Sequence, residues 1–246
     1  MSEGLVINGI SRTFLTENGA VVPALEGLSL YAPAGQITAL LGPSGCGKST
    51  LLNIIAGFDR PDAGAVRYAG RPLAQDGGKC GMVFQTPALF PWLTVAQNVE
   101  FGLKRKKMPR AQRMEAVAHM LHLVGLTGFA SAYPDELSGG MQQRAALARA
   151  LVLEPEVLLM DEPFAALDAQ MREKMQDLLL ELQRSLGQTI LFVTHDIEEA
   201  LRIAAQVVVL SPRPGRAADT IPLPPGMDDA AHSACHSRIR AALAGG

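Results

Sequence analysis

An α/β fold built on a parallel-sheet core is what this sequence predicts, and three observations carry the prediction. A short apolar strand, Gln36 to Leu41, runs straight into a glycine-rich turn and then into the helical stretch Lys48 to Ala56. Two further apolar runs of strand length, VLLMDEP and TILFVTH, each precede a segment of helical periodicity, and alternating strands and helices build βαβ units. Hydrophobic residues make up 48% of the chain and aromatics only 5%, a Leu, Ala and Val pattern that suits helices on a sheet buried on both faces. At 246 residues the length fits one large α/β domain, with or without a helical insert, better than two independent domains.

Taken in order, the first ~80 residues alternate short β-rich pieces with turns, namely LVINGI, LEGLSL, QITALLG and VRYAG, and read as an N-terminal antiparallel β subdomain leading into the core. Residues from about Thr94 to Ala130 read as helical, with Met114, Val117, Ala118, Leu121 and Val124 spaced for one face. A helical subdomain is therefore expected at about 90 to 152. The strand VLLMDEP follows, then an amphipathic helix from Ala169 to Leu186 stopped by Gly187. TILFVTH, a helix from Asp196 to Ala204 and VVVL complete the βαβ series. The stretch SPRPGRAADTIPLPPG is expected to run as an extended tail, closing the main domain at 226, and residues 227 to 246 as a short C-terminal tail with one helix.

The formal net charge of −2 gives no basic face for duplex phosphates, so nucleic acid is not expected as a partner. The basic run Lys104 to Lys107 reads as a solvated helix end. Cys46, Cys80 and Cys235 are far apart and form neither a disulfide framework nor a metal motif, which fits a reducing compartment. No charged-then-apolar segment opens the chain, and no run reaches the ~18 apolar residues of a membrane helix. His232 and His236, with Cys235 between them, lack a third ligand and read as incidental. Met108, Met114, Met120, Met141 and Met171 read as helix packing.

Chemistry concentrates in three motifs. Gly42-Pro43-Ser44-Gly45-Cys46-Gly47-Lys48-Ser49, followed by Thr50, matches G-x-x-x-x-G-K-[ST]. Its glycines let successive N–H groups point at an anion, Lys48 supplies charge to the outer phosphates of ATP, and the Ser49 hydroxyl can ligate Mg²⁺. The helix behind adds its N-terminal dipole. Asp161, at the carboxyl end of an apolar strand expected beside the loop strand, would hold Mg²⁺ through water. Glu162 would polarise the attacking water as the catalytic carboxylate. Finally, Ser138, Gly139 and Gly140 open a second helix, Gln142 to Val152, as a second anion site. One set of carboxylates with two phosphate-seeking helix starts implies a head-to-tail homodimer in which each chain completes its partner's site.

The ordered series GPSGCGKST, Gln85 in VFQ, LSGGMQQR, VLLMDEP, Ala166-Leu167-Asp168 and His195 in VTHD resembles the ATP-binding subunits of ABC transporters over almost the whole chain. The resemblance implies a P-loop NTPase fold and ATP hydrolysis coupled to transport. It implies that Phe14 stacks on adenine, that Gln85 senses the γ-phosphate and Mg²⁺ while touching the membrane subunit, that Asp168 reaches across the dimer, and that His195 contacts the γ-phosphate. It implies integral membrane permease subunits as partners, a periplasmic solute-binding protein as an indirect one, and a peripheral location on the cytoplasmic face of the inner membrane. LFPWLTV from Leu89, DAQMREKMQDLLL from Asp168, THDIEEAL and LSPRPGR resemble the importers of nitrate, sulfonates and taurine, nearest the taurine importers. An ATPase subunit never touches the solute, so nitrate, bicarbonate and pyrimidine precursors stay open. The Pro-Trp stretch after Gln85 is expected to help form the groove for a cytoplasmic helix of the permease. A soluble mechanical ATPase acting on DNA is disfavoured, since no sustained heptads separate Ser49 from Ser138, and a ribosomal one normally carries two cassettes.

Overall fold

The computed structural model describes residues 4–16, 18–73 and 79–245. Near its start, β1 (Leu5–Leu15) and β2 (Val21–Ala32) form a long antiparallel hairpin. After β3 (Ile37–Leu41) and α1 (Lys48–Ala56), the strands β4 (Ala63–Tyr68) and β5 (Arg71–Pro72) extend that hairpin into a four-stranded antiparallel sheet ordered β2-β1-β4-β5. The chain then gives β6 (Cys80–Val83), α2 (Val95–Arg105), α3 (Arg110–Leu123), α4 (Gly139–Leu151) and β7 (Val157–Asp161). It closes with α5 (Ala169–Leu186), β8 (Thr189–Val193), α6 (Ile197–Ile203), β9 (Gln206–Leu210), β10 (Ala217–Pro222) and α7 (Asp229–Ala244). The second sheet has six strands ordered β10-β9-β3-β8-β7-β6, parallel except for β10.

Every residue of β3 and β8 is buried, as a parallel sheet covered on both faces requires. Alternate residues serve opposite faces. Leu40, Leu159, Leu191 and Val193 pack with Leu51, Leu52 and Ile55 of α1 and with the antiparallel sheet. Leu158, Met160, Ile190 and Phe192 pack with α4, α5 and the helical region. Ala39, Leu41, Val207 and Val209 meet α6 and α7.

Local chemistry sets the helix ends. Thr94 and Gln97 form a reciprocal capping box at the start of α2, and Asp168, Asp196 and Asp228 cap α5, α6 and α7 with their side chains. Gly57 and Gly187, both in the left-handed region, end α1 and α5.

Three features differ from the sequence expectation. The helical run from Thr94 breaks between α2 and α3, where Lys107 takes a positive φ and Pro109 stands ahead of the new helix. Proline lacks the amide that would continue a helix. Part of the expected extended tail forms β10, an edge strand whose Ile221 joins the core below α7. An edge strand tolerates proline because one row of its amides needs no partner. The third concerns β7, which is not beside the loop strand: β8 lies between β3 and β7.

Candidate active site

Because β3, β8, β7 and β6 run parallel, their carboxyl ends emerge along one edge of the sheet, the place where open α/β sheets bind ligands. The register sets Leu40 level with Val193 and Val193 level with Asp161. The segments that follow these strands, Gly42 to Gly47, Thr194-His195, Glu162 and Phe84-Gln85, therefore line up along that edge.

The phosphate loop is fixed from behind by close approaches that only glycine allows. Gly47 has φ +100°, and a Cβ there would stand 2.8 Å from the Ala24 carbonyl oxygen and 2.6 Å from Leu25 Cδ2. The Lys48 ammonium donates to the carbonyls of Gly42 (2.7 Å) and Pro43 (3.0 Å), tying both sides of the loop together. Cys46 is buried with its thiol 3.9 Å from Lys48 Nζ. Burial pushes that thiol up despite the lysine charge, so the side chain packs while the backbone shapes the loop. A cavity of about 230 Å³ is lined by Ser44, Lys48, Ser49, Thr50, Glu162 and Arg213, among others. Phosphate loop and carboxylate thus face one space.

Although β8 intervenes, the Ser49 hydroxyl still comes near enough to the Asp161 side chain to favour its charged form. The reason is that α1 crosses the sheet face and packs on β7 and β6 as well, carrying its first turn past β8. Burial raises the Asp161 carboxyl above the ordinary range, opposed by the Ser49 hydroxyl and, more weakly, by the Lys48 charge. A hydroxyl and a carboxylate brought together are hard oxygen donors, and that donor set fits Mg²⁺. Glu162 sits at φ +44°, a conformation that costs a non-glycine residue of order 1–3 kcal/mol, with its N–H held by Val193 O at 3.0 Å. Its Oε2 lies 2.9 Å from His195 Nδ1. The strained turn and this bond aim the carboxylate toward the cavity, next to an imidazole that is 66% exposed.

Other motif residues surround this centre without entering the cavity. Gln85 is exposed just after β6, and its neighbour Phe84 accepts a bond from Gln143 Nε2 (3.4 Å) of α4. Phe14, on β1, is 40% exposed, with the Arg12 guanidinium 4.8 Å from its ring centroid. Asp168 caps α5 by accepting from Met171 N at 2.8 Å. From the same helix, Arg172 donates to Leu167 O (3.2 Å) and approaches Asp196 (3.7 Å), linking the Asp168 turn to the turn after His195. Ser138 caps α4 through Met141 N (3.4 Å). Gly139 has open space where a Cβ would be, whereas Gly140 lies under Met171. None of Ser138, Gly139 and Gly140 lines the cavity of the phosphate loop.

A larger cavity, about 770 Å³, lies among α3, the end of α4 with the loop that follows it, and the end of α5, and contains none of the motif residues. The smaller space is the one with chemistry. His232 and His236 face Glu198 of α6 at 3.3 and 3.6 Å. Among the methionines expected in packing, Met120 is buried but Met114 is 58% exposed. It lies on the rim of an apolar groove between α2 and α3. Arg213 lies in LSPRPGR, but nothing in that Pro-Gly turn marks its one side chain as part of a phosphate site.

Comparison with known proteins follows the same lines. A family model described as "ABC transporter" matches residues 25–165. The taurine import ATP-binding protein TauB of Roseobacter denitrificans is 49% identical over 213 residues, 87% of this chain and 80% of that protein. The nitrate import ATP-binding protein NrtD of Synechocystis is 47% identical over 211 residues, covering 86% of this chain and 79% of that protein. Among solved structures, cbiO1 of Clostridium perfringens, part of the ABC transporter complex cbiONQ, aligns with a TM-score of 0.81 at 31% identity, covering 90% of this chain and 89% of the other. The ATP-binding cassette MJ0796, a dimer in a post-hydrolysis state bound to ADP and Pi, aligns at 0.78 with 33% identity, covering 89% of this chain and 99% of the other.

Proposed function

Starting from a chain that belongs to the ABC transporter family of ATP-binding proteins, we propose that it is the ATP-hydrolysing subunit of an importer and works as a head-to-tail homodimer docked on membrane permease subunits. The observation that carries the reading is the single cavity shared by Ser44, Lys48, Thr50 and Glu162, where anion-binding backbone and a carboxylate face one another.

In this reading the loop from Gly42 to Ser49, with Thr50, binds the ATP phosphates through backbone N–H groups and Lys48. Ser49 and Asp161 hold Mg²⁺ with help from Gln85, and the metal, when bound, neutralises phosphate charge. Glu162 orients and polarises the attacking water, and general-base assistance of this kind is worth about 10²- to 10⁴-fold. His195, bonded to Glu162, fixes that carboxylate and donates toward the γ-phosphate. Phe14 receives the adenine. Ser138, Gly139 and Gly140 cap the γ-phosphate of the partner's nucleotide, and Asp168 reaches over at the same joint. The openness at Gly139 supports this assignment, since a helix start without a ligand on its own chain is available to a neighbour's anion.

Trp92 is 69% exposed beside Phe90, which in turn packs on Phe101 of α2, and α2 also lines the apolar groove it shares with α3. Together they suit a short helix of the permease. Among the described residues no helix is long and apolar enough to cross a membrane; the cytoplasmic face is where we place the chain, docked on the permease as its family resemblance implies. Taurine or another sulfonate is the solute we favour, with nitrate second, following the names of relatives at 49% and 47% identity. A periplasmic binding protein would deliver it.

Glu162→Gln tests the core of the proposal. Turnover should fall by at least about a hundredfold while ATP binding persists and the variant elutes as a dimer with ATP in size-exclusion chromatography. A variant that stays monomeric with ATP would sink the shared-site assignment. Uptake of labelled taurine and of nitrate by cells with and without this subunit separates the two solutes.

A further inference from the structure

We propose that Arg213 is a second cation of the phosphate site, seated there by a turn fastened to both β2 and the phosphate loop. The inference rests on the nucleotide reading above and extends it to a residue of the LSPRPGR stretch to which the sequence assigned no role at the site. Arg213 Nε donates to Gly45 O at 3.0 Å. The guanidinium Nη2 lies 3.5 Å from where a Cβ on Gly45 would stand. The side chain lines the same cavity as Ser44, Lys48, Thr50 and Glu162, and one bond to Gly45 leaves the remaining guanidinium donors for that space.

The turn that carries Arg213 is built to hold it there. Gly215 N donates to Ala24 O (2.9 Å), and Glu26 N donates to Gly215 O (3.2 Å), so the turn adds a short parallel bridge to β2. Ser211 closes the turn: its N–H donates to Arg216 O at 2.9 Å, and its hydroxyl donates to Pro214 O and accepts from Arg216 N. Arg216 in turn pairs with Glu26 at 2.7 Å. Gly215 is pressed so near the loop that a Cβ would stand 2.1 Å from Cys46 O. The antiparallel sheet, the turn and the phosphate loop therefore form one braced unit.

Charge gives the arrangement its use. Lys48 already bonds two loop carbonyls, and Glu162 brings a negative charge to the same cavity. A polyphosphate entering this space needs further positive charge, and a guanidinium presents paired donors matched to phosphate oxygens. The bond to Gly45 lowers the side-chain entropy still to be lost on binding. The ligand class is a nucleoside di- or triphosphate.

The test compares Arg213→Ala, Arg213→Gln and Arg213→Lys with the parent protein in ATP and ADP titrations and in steady-state hydrolysis. Glutamine keeps a hydrogen bond to Gly45 without the charge, and lysine keeps the charge without the fork. The expected result is a Kd for ATP and ADP raised about tenfold in the alanine and glutamine variants, within about threefold in the lysine variant. The KM for ATP should rise in step with the Kd, and thermal midpoints should match. The parent's affinity should also fall more steeply with salt than that of Arg213→Gln. Parental affinity in Arg213→Gln, or a loss of turnover with Kd unchanged, overturns the inference. Lys48→Ala is the control: if it too binds like the parent, the nucleotide reading falls and takes this inference with it. If Lys48→Ala weakens binding and the Arg213 variants do not, only the inference falls.

Discussion

The starts of α1 and α4 are both glycine-rich and both preceded by a serine-containing turn, yet the chain treats them differently. At α1, Gly47 adopts a left-handed conformation against Ala24 and Leu25, Lys48 ties the loop to itself, and Arg213 closes the outer side. At α4, Ser138 caps the helix in an ordinary extended conformation, and among the described residues nothing lies within 4 Å of where a Cβ on Gly139 would stand. The first is a cradle completed by its own chain. The second is a helix dipole presented outward, and unpaired N–H groups at a helix start attract anions. In the proposed dimer the unequal enclosure suits a shared interface: the α1 site would hold the ligand between turnovers, and the α4 start would be free to leave.

Gly47→Ala attacks the enclosed site and should have the largest effect. It adds backbone strain of order 1–3 kcal/mol and a clash with the Ala24 carbonyl, so both thermal midpoint and nucleotide binding should drop. A variant that melts and binds like the parent would break the account of the cradle. Lys48→Ala should lower nucleotide affinity about a hundredfold, equal to roughly 2.7 kcal/mol, and should lower the thermal midpoint as well, since the buried Gly42 carbonyl loses its donor. Gly139→Glu should leave folding and monomer affinity alone, because the space is open, yet place a like charge where the partner's phosphates would sit. In a Glu162→Gln background it should abolish the ATP-dependent dimer by size exclusion. A persistent dimer would mean that α4 does not face the nucleotide. Asp168→Ala should be mildest on stability, costing about 1 kcal/mol through the lost cap, measurable as a small shift in chemical denaturation.

How much of this was legible varied by element. The strands β3, β7 and β8 and the helices α1 and α5 follow from apolar runs, capping residues and terminal glycines, which act within a few residues of one another. Strand β10 and the Arg213 turn were hidden by composition. Proline and glycine mark a break locally, but here they serve an edge pairing with β9 and a close approach to Cys46 O, both made by distant chain. The break between α2 and α3 could have been read from Pro109. The motif residues could be named in advance, but the bond from His195 to Glu162, 33 residues apart, and that from Arg213 to Gly45, 168 apart, could not.

The sequence by itself determined the phosphate loop, the carboxylates of VLLMDEP, the capped helix at Ser138 and the alternation of buried strands with helices, because each depends on spacing and backbone preference over a short range. Only the tertiary structure decided that β8 stands between the loop strand and Asp161, that α1 nonetheless carries Ser49 across to that carboxylate, and that a Pro-Gly turn sets Arg213 at the loop. The physical reason is that strand order, register and crossing paths are settled by packing between segments far apart in sequence. No local rule states which of several compatible neighbours a strand will take.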